Sequence, residues 1–489
     1  MAGTMTVIDE YITILKKRAN SACFLPCNRI PCSQTPTLIN PHTGPVKAPC
    51  RTQMLPHIEH PRGKCPCPIP VSILNPILPV LDSRKVTTSD ADKLEQLAKE
   101  KLTENGWFNA SSNAGLSHTH LANRQAFFRH KIVPCQLDDT NDRWTRTTLF
   151  GQDVLALFGI APVGINEIYH PRGELPVAHV ATDLGLSYTL STTGSCPIED
   201  VASAYDIGRA AACRAGAGNV RVLEATRFFQ LYMPHDDELT VSLLRRTHES
   251  GCTAYMLTTD TWQLGWRHDD AATFNYAFDR RIGAELGLPD PVFQVRLQGK
   301  GIDPAKQPKE AAVMWIDRIW HGCAWSWDKT VWARETWREI SGGKSFLIKG
   351  IQQVDDAERT ADLGFDGIVV SNHAGRQLDG AVAILAALEK IVDDVGNRLV
   401  VTFDSGVRVA ADIVKALALG ANVVLVGRLW IWGLSIMGES GIRHVLGGLL
   451  ADLDLLMNVA VINSIGDITK DLTESPPPSC ASVNEKSKL

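Results

Sequence analysis

His373 and Arg376 stand in the stretch GIVVSNHAGRQLDG, where Ile368 to Val370 read as the end of a buried strand that gives way to a polar, glycine-bearing turn. An imidazole titrates near pH ~6.5 and can take up a proton at neutral pH. A guanidinium presents a planar fork that suits a carboxylate. A base beside such a clamp fits chemistry on a small acid. Companions elsewhere in the chain strengthen that reading. Arg267 offers a second guanidinium, and Asp260 in LTTD can orient the imidazole and stabilise its protonated form. Lys349, after the apolar run FLI, is a fixed ammonium able to stabilise negative charge on a reduced cofactor ring. Gln230 and Tyr232 in RFFQLY, with Thr258 in LTTD, add hydrogen-bonding groups from two adjoining strands. A lone histidine is ordinarily a satisfied loop residue; one accompanied by this set asks for a site.

Two further strand ends point to a phosphate. DSGVRVAADIVKALALG places a small-residue turn and Arg408 before a helix, and VGRLW supplies Gly427 and Arg428. Backbone N–H groups at a helix start, with two arginines beside glycines, make an anion cradle.

These residues need a frame that brings many strand ends together. Short apolar runs recur beyond residue 150: LALFGIAP, LSYTLSTTG, RFFQLYM, AYMLTTD, FLIKG, IVVSNHAG, LVVTFDSG and VVLVGR. Helix-like segments such as DDAERTADLG and AADIVKALALG separate most of them. Buried strands alternating with helices imply a parallel sheet. Polar residues at the end of every run favour a (β/α)₈ TIM barrel, whose site lies at the C-terminal strand ends. An open doubly wound sheet would not gather them at one mouth. A long insertion after the fourth strand, from Trp262 to about Ser341, reads as a lid, and its tryptophans as anchors that pack it onto the barrel. Ser89 reads as the N-cap of a helix over SDADKLEQLAKEKL.

The chain has 489 residues, a net charge of -5 and 44% hydrophobic residues, so nothing in its charge points to nucleic acid. No run is long enough to span a bilayer and no secretory signal opens the chain, so reduced thiols are expected. Residues 1–85 hold six of the 12 cysteines and thirteen of the 26 prolines and read as a poorly ordered extension, without the repeated CxxC pair of a zinc module. The barrel domain is expected over 86–468, and 469–489 form a tail ending in Ser487, Lys488 and Leu489, the tripeptide read by the peroxisomal import receptor.

SNHAGRQLDG, IKG, RFFQLY, LTTDT and DSGVR…KALALGA…VGR, in this order and spacing over about residues 90–465, resemble the FMN-dependent α-hydroxy acid dehydrogenases and oxidases. That family includes glycolate oxidase, lactate oxidase and lactate monooxygenase. The resemblance implies that FMN contacts Pro162, Val163 and Gly164 after strand one, and Ser191 or Thr192 after strand two. Gln230, Thr258, Lys349 and Ser371 would hold the isoalloxazine, while Asp404, Gly406, Arg408, Gly427 and Arg428 serve the ribityl chain and phosphate. Arg267 and Arg376 would bind the substrate carboxylate, with Tyr232 near its hydroxyl. His373, paired to Asp260, would act as base while two electrons pass from the α-carbon to the flavin. An L-2-hydroxy acid would become the 2-keto acid, with O₂ or a soluble carrier as acceptor, in a homotetramer.

The chain departs from the family pattern at Ala374 and Ser405, each in place of glycine. Phe108 occupies the place of a substrate-contacting tyrosine, and Thr193 that of a pocket tryptophan. APVG and the insertion DTWQLGWRHDD look more like the lactate monooxygenase branch, so oxidative decarboxylation of the keto acid stands as an alternative. A flavin isomerase and a non-catalytic binding protein on the same barrel are the other readings. The segment EHPRGKC lacks the double glycine of a haem-ligand turn, so haem is not expected.

Overall fold

A computed structural model describes residues 88–141, 143–215, 226–273 and 277–474. The proline- and cysteine-rich extension, the haem-like segment and the C-terminal tripeptide lie outside them. Eight strands are β1 Phe158–Ile160, β2 Ser187–Ser191, β3 Arg227–Leu231, β4 Ala254–Thr258, β5 Ser345–Ile351, β6 Gly367–Val370, β7 Val400–Phe403 and β8 Val423–Val426. All neighbours pair in parallel and β8 pairs with β1, so the sheet closes into a barrel with helices outside. This is the expected (β/α)₈ architecture.

The side-chain alternation of each strand decides what enters the barrel. Phe228, Ala254, Met256, Leu347, Val369, Val423 and Leu425 form the interior cluster. Their outward neighbours Tyr255, Ile348, Ile368, Val370 and Val424 pack under the surrounding helices. A hairpin of Thr147–Leu149 and Gln152–Val154 plugs one end, with Leu149 and Val154 joining the interior cluster and Phe150 set edge-on to Phe228. Continuing the inward parity by two residues leads to Gln230 and Tyr232, Thr258 and Asp260, Lys349, Ser371 and His373, and Gly427. The functional set is therefore the next layer above the core, at the opposite end from the hairpin plug.

Ahead of the barrel run helices α1 Ala91–Lys101, α2 Glu104–Ser111 and α3 His118–Arg129. Asp90, not Ser89, caps α1: its carboxylate accepts the N–H groups of Asp92 and Lys93 at 3.0 and 3.2 Å. Both residues can cap, and only the backbone shows which one stands at the turn. The insertion between β4 and β5 carries α7 His268–Ala272, α8 Pro291–Gly299, α9 Pro308–Ile319 and α10 Trp327–Ser341, following α4 Leu175–Asp183, α5 Ile198–Ala215 and α6 Asp237–Glu249 on the barrel. Trp315 and Trp337 are wholly buried and anchor α9 and α10. Trp315 lies against the backbone of Gly287, where a Cβ would come within 2.2 Å of the indole. Cys135, Cys196, Cys252 and Cys323 are free thiols.

Candidate active site

A cavity of about 540 Å³ opens at the C-terminal strand ends. Pro162, Val163, Gly164, Ser191, Tyr232, Lys349, His373, Arg376, Asp404, Gly406, Arg408, Gly427 and Arg428 line it, joined from the lid by Arg267. Gln230, Thr258, Ser371 and Asp260 stand directly behind this wall. Ser191 Oγ donates to Gln230 Oε1 at 2.8 Å, and Gln230 Nε2 donates to Thr258 Oγ1 at 2.9 Å. Thr192 is turned away: its hydroxyl donates to the Gln230 carbonyl and accepts the Tyr232 N–H, which ties β2 to β3. Phe108 is half-buried and outside the wall; its neighbours Asn109 and Ala110 form that part of the lining.

His373 Nδ1 meets Asp260 Oδ1 at 2.9 Å. Thr261 Oγ1 donates to the same carboxylate at 2.8 Å and lies 3.1 Å from His373 Nδ1. With Nδ1 held by the carboxylate, Nε2 is the nitrogen left for chemistry. Burial pushes the His373 pKa down; Asp260 opposes the shift and Lys349 adds to it, so the resting ring is a neutral base. Burial would raise the Asp260 carboxyl, but His373 and Lys349 outweigh it and hold it at about 2. Lys349 Nζ donates to Ser371 Oγ at 2.9 Å and sits 3.3 Å from Asp404. Its burial disfavours the charge, yet Asp404 and Asp260 raise its pKa and keep it protonated.

Helix α2 aims its last carbonyls at the arginines. Arg376 donates to Ser112 O at 2.8 Å, and Arg428 donates to Ala110 O at 2.9 Å, meeting acceptors that a helix C-terminus leaves unsatisfied. Arg267 reaches the Arg376 carbonyl and Gln377 Oε1, both at 3.1 Å. Burial and then the Arg376 charge lower Arg267 to about 9; Arg428 is pushed down by burial and by Arg376 and Arg408. Arg376, Arg408 and Arg428 make no ion pair with a carboxylate among the described residues. Uncompensated guanidinium groups around a cavity suit a phosphate on one side and a carboxylate on the other. The donor set and the cavity size thus fit FMN together with a small acid.

Two departures from the family pattern meet one another. His373, Ala374 and Gly375 all have positive φ, at 54°, 57° and 75°, and Ser405 has φ 86°. Ser405 Oγ accepts the Ala374 N–H at 2.9 Å and donates to Asp404 Oδ1 at 2.7 Å. The serine hydroxyl thereby fastens the left-handed turn that carries the base to the carboxylate that pairs with Lys349. Residues without a motif also enter the wall. Tyr169, whose hydroxyl donates to Asn109 Oδ1 at 2.5 Å, is one; Phe278 and Trp320 from the lid are others. Trp320 was read as a packing anchor and serves both purposes, lying edge-on to Tyr232 at 5.7 Å. Thr193 crowds Gly164 so closely that a Cβ there would fall 1.9 Å from its hydroxyl.

Residues 98–475 match the FMN-dependent dehydrogenase family. The chain belongs to that family. It is 38% identical over 384 residues to the FMN-dependent alpha-hydroxy acid dehydrogenase qulF of Penicillium citrinum, covering 78% of this chain and 90% of the relative. It is 33% identical over 377 residues to the peroxisomal (S)-2-hydroxy-acid oxidase GLO4 of Oryza sativa subsp. japonica, covering 77% and 93%. Among solved structures, mandelate oxidase with benzoyl-formic acid aligns with a TM-score of 0.65 at 29% identity, over 80% of this chain and 99% of the other. This family member is an FMN-dependent 2-hydroxy acid oxidase or dehydrogenase, and FMN is its cofactor. No helix among the described residues is long and apolar enough to cross a membrane.

Proposed function

We propose that the protein oxidises an L-2-hydroxy acid to the 2-keto acid, with His373 as base and O₂ reoxidising the flavin. The observation that carries this is the His373–Asp260 pair, 2.9 Å apart, with His373 in one wall with Lys349, Arg267 and Arg376 and Asp260 behind it. When bound, FMN would supply the acceptor for the two electrons and one of the two protons that the CH–OH group gives up; His373 takes the other proton. The chain's own groups do the rest. Arg376 and Arg267 hold the carboxylate, and Tyr232, raised to about 12 by burial and then by Asp260, stays protonated and donates to the substrate hydroxyl. His373 Nε2 takes a proton from the CH–OH group, and Asp260 stabilises the imidazolium that results. Lys349 remains protonated against the ring. Pro162, Val163, Gly164, Ser191, Gln230, Thr258 and Ser371 would position the ring; Asp404, Gly406, Arg408, Gly427 and Arg428 would hold the chain and phosphate.

The cavity wall includes Tyr169, Tyr232, Phe278 and Trp320, an aromatic lining that supports a substrate with a bulky apolar side chain. Lactate monooxygenase-like decarboxylation is separated by products: with catalase present and a hydroxy acid supplied, the oxidase reading expects keto acid alone. Recovery of the acid shortened by one carbon, in place of keto acid, would reverse it. A homotetramer and peroxisomal import through Ser487, Lys488 and Leu489 complete the proposal. Light scattering checks the first, and deletion of the three residues from a fluorescent fusion checks the second.

A further inference from the structure

A cluster outside the flavin cavity has no part in this chemistry. His235 follows β3 by a few residues, and His321 and Cys323 lie in the lid between α9 and α10. The ligand atoms of these three residues all lie within 4.8 Å of one another. His235 and Cys323 are exposed and His321 is half-buried. The two imidazoles pack edge to face with centroids 3.7 Å apart, and Trp325 closes over His235 at 4.1 Å.

The backbone fixes how His321 presents itself. Its Nε2 lies 3.1 Å from the Met233 carbonyl, which also accepts the Trp325 indole N–H at 3.0 Å. A carbonyl can only accept, so Nε2 carries the proton and Nδ1 carries the lone pair. That lone pair accepts the Cys323 backbone N–H at 3.2 Å, a hydrogen bond that a metal on Nδ1 would displace. An imidazole oriented by a backbone carbonyl through its second nitrogen is the arrangement in which histidine ligates a metal.

We propose that His235, His321 and Cys323 form a site for a borderline divalent transition metal, Zn²⁺ by ligand type, which clasps the lid to the end of β3. Two imidazoles and one thiolate with an open position for water match zinc donor chemistry. Bonds of about 2.1 Å to nitrogen and about 2.3 Å to sulfur place ligand atoms about 3.5 Å apart, so rotation of the two exposed side chains closes the site. On binding, the Cys323 thiol releases its proton to solvent. The clasp bears on the flavin cavity through its neighbours in the chain: Met233 follows Tyr232, and His321 follows Trp320, both of which line the cavity.

The test uses the full-length, FMN-loaded protein, stripped with a chelator, desalted and titrated with Zn²⁺ against a chromophoric indicator. Wild-type protein should take up one equivalent per chain more than Cys323→Ser or His321→Ala, or bind that equivalent at least tenfold more tightly. The cysteines that precede residue 68 are present in every variant, so their contribution cancels. Unchanged flavin content reports that the variants are folded. Zinc should also slow amide exchange over residues 320–326 at least tenfold in wild type alone. Equal uptake and affinity in all three proteins would overturn the site, and an extra equivalent without slowed exchange would overturn the clasp.

Discussion

At the scale of single residues, the site is a balance between burial and charge. His373 is held neutral by burial, while Asp260 stays ionised, its pKa held at about 2 against burial by His373 and Lys349. The base is competent when unprotonated, so activity is lost as pH falls through its pKa. The acid limb of kcat/KM for the free enzyme should therefore lie below the ordinary imidazole value of about 6.5; a limb above that value would show that Asp260 outweighs burial. Ala374 adopts φ 57°, which suits glycine. Ala374→Gly should raise thermal stability by about 1 kcal/mol, whereas Ser405→Ala strips the Ala374 N–H of its acceptor and should cost about 1–3 kcal/mol. Thermal midpoints of the FMN-loaded variants check both signs. His373, Arg376, Lys349 and Asp260 were legible because each sits just beyond an apolar run. The Ala374–Ser405 hydrogen bond was not, because it joins two loops whose approach only the closed barrel defines. Tyr169 escaped for a related reason: nothing in NEIYH marks it as facing the cavity rather than the core.

Elements fix where those residues stand. The inward parity of each strand, readable as alternation, carries Lys349, Ser371 and Thr258 to the mouth once Leu347, Val369 and Met256 fill the interior. That much of the barrel follows from the pattern of apolar runs. The insertion was legible as a lid from its length, but its share of the cavity wall depends on how Trp315 and Trp337 seat its helices. Phe108 shows the limit from the other side. Its neighbours Asn109 and Ala110 line the cavity, and nothing in GWFNASS marks which of these positions the turn of α2 sets there. Between elements, Glu174 holds the loops after β1 and β2 together, accepting the N–H groups of Asn166 at 3.3 Å and Ser195 at 3.0 Å. Burial raises its carboxyl from 4.5 to about 7. A raised folded-state pKa means stability present below the unfolded value and lost as pH rises through the folded one. Glu174→Gln should flatten the decline in thermal midpoint between about pH 4.5 and 7. A decline equally steep in the glutamine variant would place its origin elsewhere.

Over the described residues, the molecule is an eight-stranded barrel with a hairpin plugging one end and a lid contributing to the wall of the cavity at the other. The excess of guanidinium groups there explains why the fold of this family member is matched to an anionic cofactor and an anionic substrate at once. The proposed function turns on His373 removing the proton that lets a hydroxy acid reduce this flavin. Its most direct test is anaerobic mixing of the purified, FMN-loaded protein with a panel of 2-hydroxy acids, aromatic members included, while flavin absorbance is followed. The wild-type flavin should bleach with at least one acid, and His373→Gln, with FMN still bound, should bleach about 10²–10⁴-fold more slowly. Bleaching at a near-normal rate in His373→Gln would contradict the account.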